Sequence, residues 1–130
     1  MFPRPEWNFV FGLAQPSEGV GVFSFARHAV DAESDVSEDQ ARMIWMRRSC
    51  NTMVHEIGHM FGLKHCIYYE CTMNGSNGSF EYDYMPNRTL CPICLAKLKM
   101  NAKFDLRERF VKLAAASEIL GFQDEKLVYE

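Results

Sequence analysis

Residues 55–65 read HEIGHMFGLKH, with histidines at positions 55, 59 and 65. His55 and His59 are four residues apart, so on an α-helix they share one face, from which both imidazoles reach a single Zn²⁺ ion. Glu56 lies beside this pair and is the type of residue that takes a proton from zinc-activated water. Taken alone, the pair also fits an exposed amphipathic helix with two solvated histidines.

The remainder of the stretch makes the metal-site interpretation more specific. Gly62 is predicted to end the helix in a left-handed cap, after which His65 turns back towards the other two histidines. Three protein ligands leave the fourth tetrahedral position open to water or substrate, which is typical of catalytic zinc sites. The complete HExxHxxGxxH pattern therefore predicts a catalytic zinc site in which Glu56 is the general base and acid.

Four cysteines predict a second metal site. Their spacings, x4 within the first pair and CxxC in the second, favour a closed structural zinc site made of Cys66, Cys71, Cys91 and Cys94. The alternative is four buried free thiols, since cysteine often serves as a small apolar residue. Cys50 is left over and is expected to be a structural thiol. Because His65 and Cys66 are adjacent, we expect the two sites to be mechanically coupled.

Two short strands are predicted ahead of the motif. Trp7–Gly12 and Val20–Ala26 are aromatic and β-branched, and the intervening residues 15–19, Gln-Pro-Ser-Glu-Gly, are typical of a turn. The two segments therefore predict a hairpin.

The helix that carries the motif is predicted to begin between Ser37 and Ser49. Ser37 and Gln40 fit a capping box. Apolar residues recur every three or four positions and predict one core-facing side, largely opposite the histidines: Met43, Met46, Cys50, Met53, Val54, Ile57, Met60 and Phe61.

Further helices are predicted beyond an irregular segment rich in Asn and Gly. Pro92 suits the first turn of one helix. Asp105 caps another, whose apolar stripe ends at Gly121. Residues 123–130 are expected to be frayed.

Composition excludes several classes of protein. The 130 residues carry a net charge of −3, which argues against a nucleic-acid binder, because binding phosphates needs clustered cations. No apolar run is long enough to span a bilayer, and the N-terminus does not resemble a signal peptide. We therefore expect an intracellular, cytoplasmic protein, with the nucleus as the alternative location. Its oligomeric state is unknown.

The motifs resemble one family, the archaemetzincins of the metzincin clan of zinc metallopeptidases. The family signature is HExxHxxGxxHCx4CxM, then seventeen residues, then CxxC. Here the first part spans His55 to Met73, the spacer runs from Asn74 to Leu90, and Cys91 opens the CxxC. Members of the family are usually longer at the N-terminus, so this chain is expected to be N-terminally short.

The resemblance implies a fold and an activity. The expected fold is α+β and metzincin-like: a small N-terminal sheet packed on the active-site helix, then an irregular zinc-pinned loop and C-terminal helices. One domain over residues 1–130 is expected, with an upper part at 1–62 and a lower part at 63–130. The implied function is hydrolysis of peptide bonds, aminopeptidase-like on short peptides, with one catalytic and one structural zinc ion per chain.

The resemblance also implies roles for individual residues. Met73 would be the Met-turn residue beneath the metal. A peptide substrate would lie along an edge strand made of Val20, Gly21, Val22, Phe23 and Ser24. Tyr82 and Tyr84 either supply a hydroxyl near the zinc or pack in the loop.

His28 is expected to be a surface residue rather than a substrate contact. The alternative to a peptidase is a truncated, non-catalytic zinc-binding or interaction module.

Overall fold

The computed structural model describes residues 10–31, 34–75 and 89–130. Predicted features at residues 7–9, and at Tyr82 and Tyr84, lie outside these ranges. Within them, the chain forms a mixed α/β arrangement of a two-stranded sheet and four α-helices. The elements are β1 (Gly12–Gln15), β2 (Val20–Phe23), a short 3₁₀ helix (Ala26–His28), α1 (Glu38–Met60), α2 (Pro92–Ala102), α3 (Leu106–Leu120) and α4 (Gln123–Tyr129).

The predicted hairpin is confirmed, although its strands are shifted. β1 and β2 pair antiparallel, with Gly12 opposite Phe23. β1 begins at Gly12, where the first strand was predicted to end, and β2 stops before Ala26. The second strand ends early because Phe25 adopts a helical backbone and caps the 3₁₀ helix. Its carbonyl accepts the indole N–H of Trp45 at 3.1 Å, which fastens this corner to α1.

Both ends of α1 agree with the sequence prediction. Ser37 is the N-cap, and its side chain and that of Gln40 form the complete capping box. The helix ends at Met60, and Gly62 takes a positive φ of 81°. This left-handed conformation is strained for other residues, so glycine allows the chain to turn sharply after the motif.

The predicted core face of α1 is wrong. Its buried residues are Arg48, Ser49, Thr52, His55 and Gly58, whereas Met53 is 37% and Val54 is 44% exposed. Ser49 bonds to the Trp45 carbonyl within α1, and the other buried polar side chains have partners on neighbouring segments, so all enter the interior without losing their hydrogen bonds. The apolar side, including Cys50, instead lines a cavity of about 230 Å³ that faces α3 and α4.

The buried cluster of the second half is built around the cysteines. It contains Leu63, Met73 and all four predicted cysteine ligands. α2 begins at Pro92 as expected, and its N-cap is Cys91. Asp105 caps α3, and Gly121 ends it with a positive φ of 75°. Within the described ranges, no helix is both long and apolar enough to cross a membrane.

The expectation that residues 123–130 are frayed is wrong. Residues 123–129 form α4, which packs on α3. Glu125 forms an ion pair with Arg47 of α1 at 2.7 Å, and Tyr129 stacks on Phe110 with ring centroids 6.1 Å apart. These contacts with distant residues fasten a short helix that has little stability of its own. The expected division of the domain at residue 62 stays a prediction.

Candidate metal centres

The three motif histidines converge on one point. Their candidate ligand nitrogens lie within 4.8 Å of one another, and the Nε2 atoms of His55 and His59 are 3.0 Å apart. The ring centroid of His65 lies 5.3 Å from that of His55 and 4.9 Å from that of His59. Tetrahedral zinc with Zn–N bonds of ~2.0–2.1 Å needs nitrogens about 3.4 Å apart. The three side chains therefore fit a zinc ion.

Hydrogen bonds orient two of these imidazoles. Nδ1 of His55 lies 2.8 Å from the carbonyl oxygen of Thr72, and Nδ1 of His59 lies 2.7 Å from that of Leu63. A carbonyl only accepts, so each Nδ1 carries the proton and each Nε2 keeps its lone pair for a metal. Burial lowers the pKa of His55 to about 4, and it also lowers the pKa of His65. Both rings are therefore neutral at pH 7, as metal ligation requires.

Glu56 lies against β1. A Cβ atom placed on Gly12 would lie only 2.8 Å from both Cδ and Oε1 of Glu56, so the carboxylate occupies space that another residue's side chain would need. Burial raises the pKa of Glu56, while His59 and a hydrogen bond from the backbone of Ala14 oppose that rise. The carboxylate is thus partly desolvated and in contact with a backbone edge.

An open cavity of about 540 Å³ lies beside the histidines. Its lining includes Ala14 and Pro16 together with His59 and His65. Because Ser24 donates its N–H to the Phe11 carbonyl, the hairpin register turns the polar backbone groups of Gly12 and Ala14 outwards, away from β2. Ala14 lines the cavity together with His59 and His65, so the strand next to the histidines is β1. The expected peptide edge, Val20–Ser24, belongs mainly to its hairpin partner, and peptide contact there stays a prediction.

The four cysteines also converge. All are buried, and their sulfur atoms lie within 4.8 Å of one another. The sulfurs of Cys66 and Cys91 are 3.9 Å apart, close to the ~3.8 Å that tetrahedral Zn–S bonds of ~2.3 Å require. Backbone amides lower the pKa of Cys66 to about 7, whereas burial raises the pKa of Cys71 and Cys94. A dication fits this cluster because it compensates the charge of neighbouring thiolates.

One loop connects the two clusters. Cys66 donates its backbone N–H to the Met73 carbonyl at 2.8 Å, and Thr72 donates to Thr89 at 3.0 Å. Met73 is completely buried, and its sulfur packs against Gly58 of α1, between the motif histidines. The methionine thus lies under the histidine site. Its role as a Met-turn residue stays a prediction.

Sequence reasoning missed the contribution of Asn74. Its amide nitrogen donates to the carbonyls of Cys66 and Tyr69, and its Oδ1 accepts the N–H of Cys71. These bonds close the loop between the first two cysteines. The available signal was an asparagine directly after the CxM of the signature, because Asn side chains commonly satisfy backbone groups in tight turns.

The structure also shows the burial of two residues outside the ligand sets, His28 and Cys50. The expectation that His28 is a surface residue is wrong, because none of its surface is exposed. Aromatic rings and α1 enclose it. Cys50 is half-buried on α1 and lies outside the group of four cysteines.

The sequence of this chain also matches a known protein family. Residues 4–100 match the sequence profile described as Peptidase family M54. The chain belongs to this family. Human archaemetzincin-2 is 41% identical to this M54 chain over an alignment that covers 87% of the chain and 37% of the relative. The expected archaemetzincin resemblance, and with it membership of a zinc-dependent peptidase family, is confirmed.

Solved structures show the same relationship. The crystal structure of archaemetzincin from Methanopyrus kandleri is 31% identical, with a TM-score of 0.59 over 77% of this M54 chain and 50% of its own. A zinc-dependent peptidase from Methanocorpusculum labreanum is 34% identical, with a TM-score of 0.60, covering 72% and 47%. The chain therefore spans about half the length of these structures, and 37% of the human relative.

Proposed function

We propose that this M54 chain is a zinc metallopeptidase that hydrolyses peptide bonds. The observation that carries the proposal is the convergence of three histidine side chains with Glu56 beside them and an open cavity in front. His55, His59 and His65 would hold the catalytic zinc. The similarity to a zinc-dependent peptidase of known structure supports the same activity.

Each residue of the site would have a defined task. The zinc ion, when bound, would supply Lewis-acid activation of water and of the scissile carbonyl. The carbonyls of Thr72 and Leu63 keep the ligand imidazoles in the tautomer that binds metal. Glu56 would accept a proton from the attacking water and later give it to the leaving amine. Its burial supports this role, because a raised pKa strengthens a carboxylate as a base.

The substrate would be an extended peptide beside β1. Strands bind peptides by adding one further strand at a free edge, and the outward backbone groups of Gly12 and Ala14 lie next to Glu56. This geometry favours β1 over Val20–Ser24 as the recognition edge. The aminopeptidase-like preference for short peptides rests on the archaemetzincin resemblance, and a matched series of free and N-acetylated peptides tests it.

The four cysteines would hold a second, structural zinc ion, so we propose two zinc ions per chain. The four-thiolate set leaves no open coordination position and would serve to fold the loop. An intracellular location also stays a prediction. The alternative of a non-catalytic zinc module is not favoured, since the histidine site is assembled alongside the cysteine site.

The direct test is peptide hydrolysis by the zinc-loaded chain. We expect hydrolysis that a chelator abolishes and that zinc restores. Glu56→Gln should retain its zinc and lose activity by about 10²–10⁴-fold, the usual contribution of a general base. Glu108→Gln, at an exposed position of α3, is the matched control and should behave like the parent. Full activity in Glu56→Gln would contradict the mechanism, and no activity in the zinc-loaded parent would contradict the function.

A further inference from the structure

His28 connects the hairpin region to α1. The side chain is completely buried at the end of the 3₁₀ helix. Its Nε2 atom is hydrogen-bonded to Oγ1 of Thr52 at 2.9 Å, and Arg48 donates to its backbone carbonyl at 3.0 Å. Thr52 and Arg48 both belong to α1. Burial, followed by the charge of Arg48, lowers the pKa of His28 to about 4, so the imidazole is neutral at pH 7.

The same imidazole stacks on Phe11. The two ring centroids are 4.8 Å apart, and the ring planes differ by 14°. Phe11 directly precedes Gly12, and its carbonyl accepts the N–H of Ser24 at 2.7 Å. The position of Phe11 therefore sets the position of Gly12 and of the outer edge of β1.

That outer edge is in contact with Glu56. The Cδ and Oε1 atoms of Glu56 fill the space beside Gly12, and the backbone of Ala14 is hydrogen-bonded to the carboxylate. Any shift of Phe11 relative to α1 would move these two backbone positions against the carboxylate. Two contacts in series oppose such a shift: the stack between Phe11 and His28, and the hydrogen bond between His28 and Thr52.

We propose that His28 is a positioning residue for peptide hydrolysis, which holds the outer edge of β1 in place against Glu56 and the histidine cavity. This role rests on the peptidase function proposed above. His28 acts through Phe11 on the strand side and through Thr52 on the helix side. A displacement of about 1 Å between reacting groups is enough to slow an enzyme substantially, so a fixed edge matters for turnover.

The experiment separates the two contacts. His28→Phe retains a ring for the stack and loses the hydrogen bond, whereas Thr52→Val loses the same hydrogen bond from the helix side. His28→Ala loses both contacts. Ile119→Ala, at a position that is 85% exposed on α3, is the control. The zinc-loaded variants are compared by zinc content, by the backbone amide NMR signals of residues 12 and 14, and by steady-state kinetics.

We expect His28→Ala to keep its zinc, to shift both amide signals, and to lower kcat about tenfold or more with little change in KM. His28→Phe and Thr52→Val should show smaller effects, and combining them should add little, because both remove one hydrogen bond. Unmoved amide signals or an unchanged kcat in these variants would overturn the proposal.

The experiment still tests the role of His28 if one variant does not fold or if the parent chain is inactive. If His28→Ala does not fold, His28→Phe and Thr52→Val still decide the question. If the parent chain lacks peptidase activity, the proposed function fails, and the amide signals alone then show whether His28 positions β1. Signals that stay in place in folded variants overturn that positioning role independently of catalysis.

Discussion

The sulfur of Met73 fills the space in which a side chain on Gly58 would begin. Gly58 lies between the two motif histidines on α1, and Met73 is completely buried. The helix and the loop below it can approach this closely only because residue 58 has no side chain. The contact therefore joins the helix that carries two histidines to the loop whose Thr72 carbonyl orients one of them.

Gly58→Ala should destabilise the chain by up to about 2 kcal/mol. Overpacking against Met73 costs ~1–3 kcal/mol, and the better helix propensity of alanine offsets about 1 kcal/mol of that cost. Urea denaturation of the zinc-loaded chain measures the difference. In a Met73→Ala background the same substitution should become neutral or stabilising. An equal cost in both backgrounds would show that the two residues do not clash.

Gly12→Ala should lower activity without removing metal. The new Cβ would lie too close to the Glu56 carboxylate, so either the carboxylate rotates or β1 moves away. We expect kcat/KM to fall about tenfold or more, with unchanged zinc content by elemental analysis. Leu13→Ala, on the same strand at a side chain that is 44% exposed, is the control. Equal effects of the two substitutions would mean that the Gly12 contact has no special role.

Cys91→Ser should weaken zinc binding at both sites. The variant should lose the structural zinc directly. The loop that holds Met73 and the Thr72 carbonyl would then loosen, and we expect zinc affinity at the histidines to fall by about 10–100-fold, as with other changes behind metal ligands. Competition with a chelating dye measures both affinities. Cys50→Ser should retain two zinc ions. Unchanged affinity at the histidines in Cys91→Ser would disprove the coupling.

Stability should fall as the pH falls from 6.5 to about 4, in part because of His28. Its pKa is lowered from 6.5 to about 4 in the folded chain, so in this window the unfolded chain binds more protons than the folded one. The stabilisation is fully present above pH 6.5 and is lost towards pH 4, to an extent on the order of 3 kcal/mol.

The contribution of His28 is isolated by comparison with His28→Phe. Urea denaturation at several pH values should give a shallower pH dependence for this variant than for the parent. The slope that remains would come from other groups, including the candidate zinc ligands His55 and His65, whose pKa values are also lowered. Identical slopes in parent and variant would show that His28 does not titrate in this window.

Glu125→Gln should destabilise α4. The substitution removes the carboxylate that pairs with Arg47 at 2.7 Å in a partly buried position. We expect a loss of about 1 kcal/mol and faster hydrogen exchange at the amides of residues 123–129. Asp124→Asn is the matched control, since Asp124 is more exposed and lies 4.0 Å from Arg47. If residues 123–129 exchanged freely in the parent, α4 would not be a stable helix.

Local signals in the sequence predicted several elements well. Ser37 with Gln40 marked the start of α1, and Gly62 marked its end. Pro92 and Asp105 marked the next two helix starts. These predictions succeed because capping and positive φ depend on residues within one or two turns of each other.

The wrong prediction for the core face of α1 arose because contacts with distant segments decide which side of this helix is buried. The apolar positions of α1 predicted a core face at Met53 and Val54, yet the fully enclosed face carries Arg48, Thr52 and His55. These polar side chains are buried because other segments supply their hydrogen-bond partners. Hydrophobic periodicity has no information about such partners, so it indicated the other side of the helix.

By itself, the sequence determined the two sets of candidate ligands and the family, because ligand spacing is set by the helical repeat and by short turns. Only the tertiary structure decided that β1 borders the histidine cavity, that Gly12 lies against Glu56, that His28 is buried on Thr52, and that residues 123–129 form a helix. Each of these features depends on a contact between segments far apart in the chain. Residue type and local spacing do not encode such a contact, because it is stabilised only once the segments pack together.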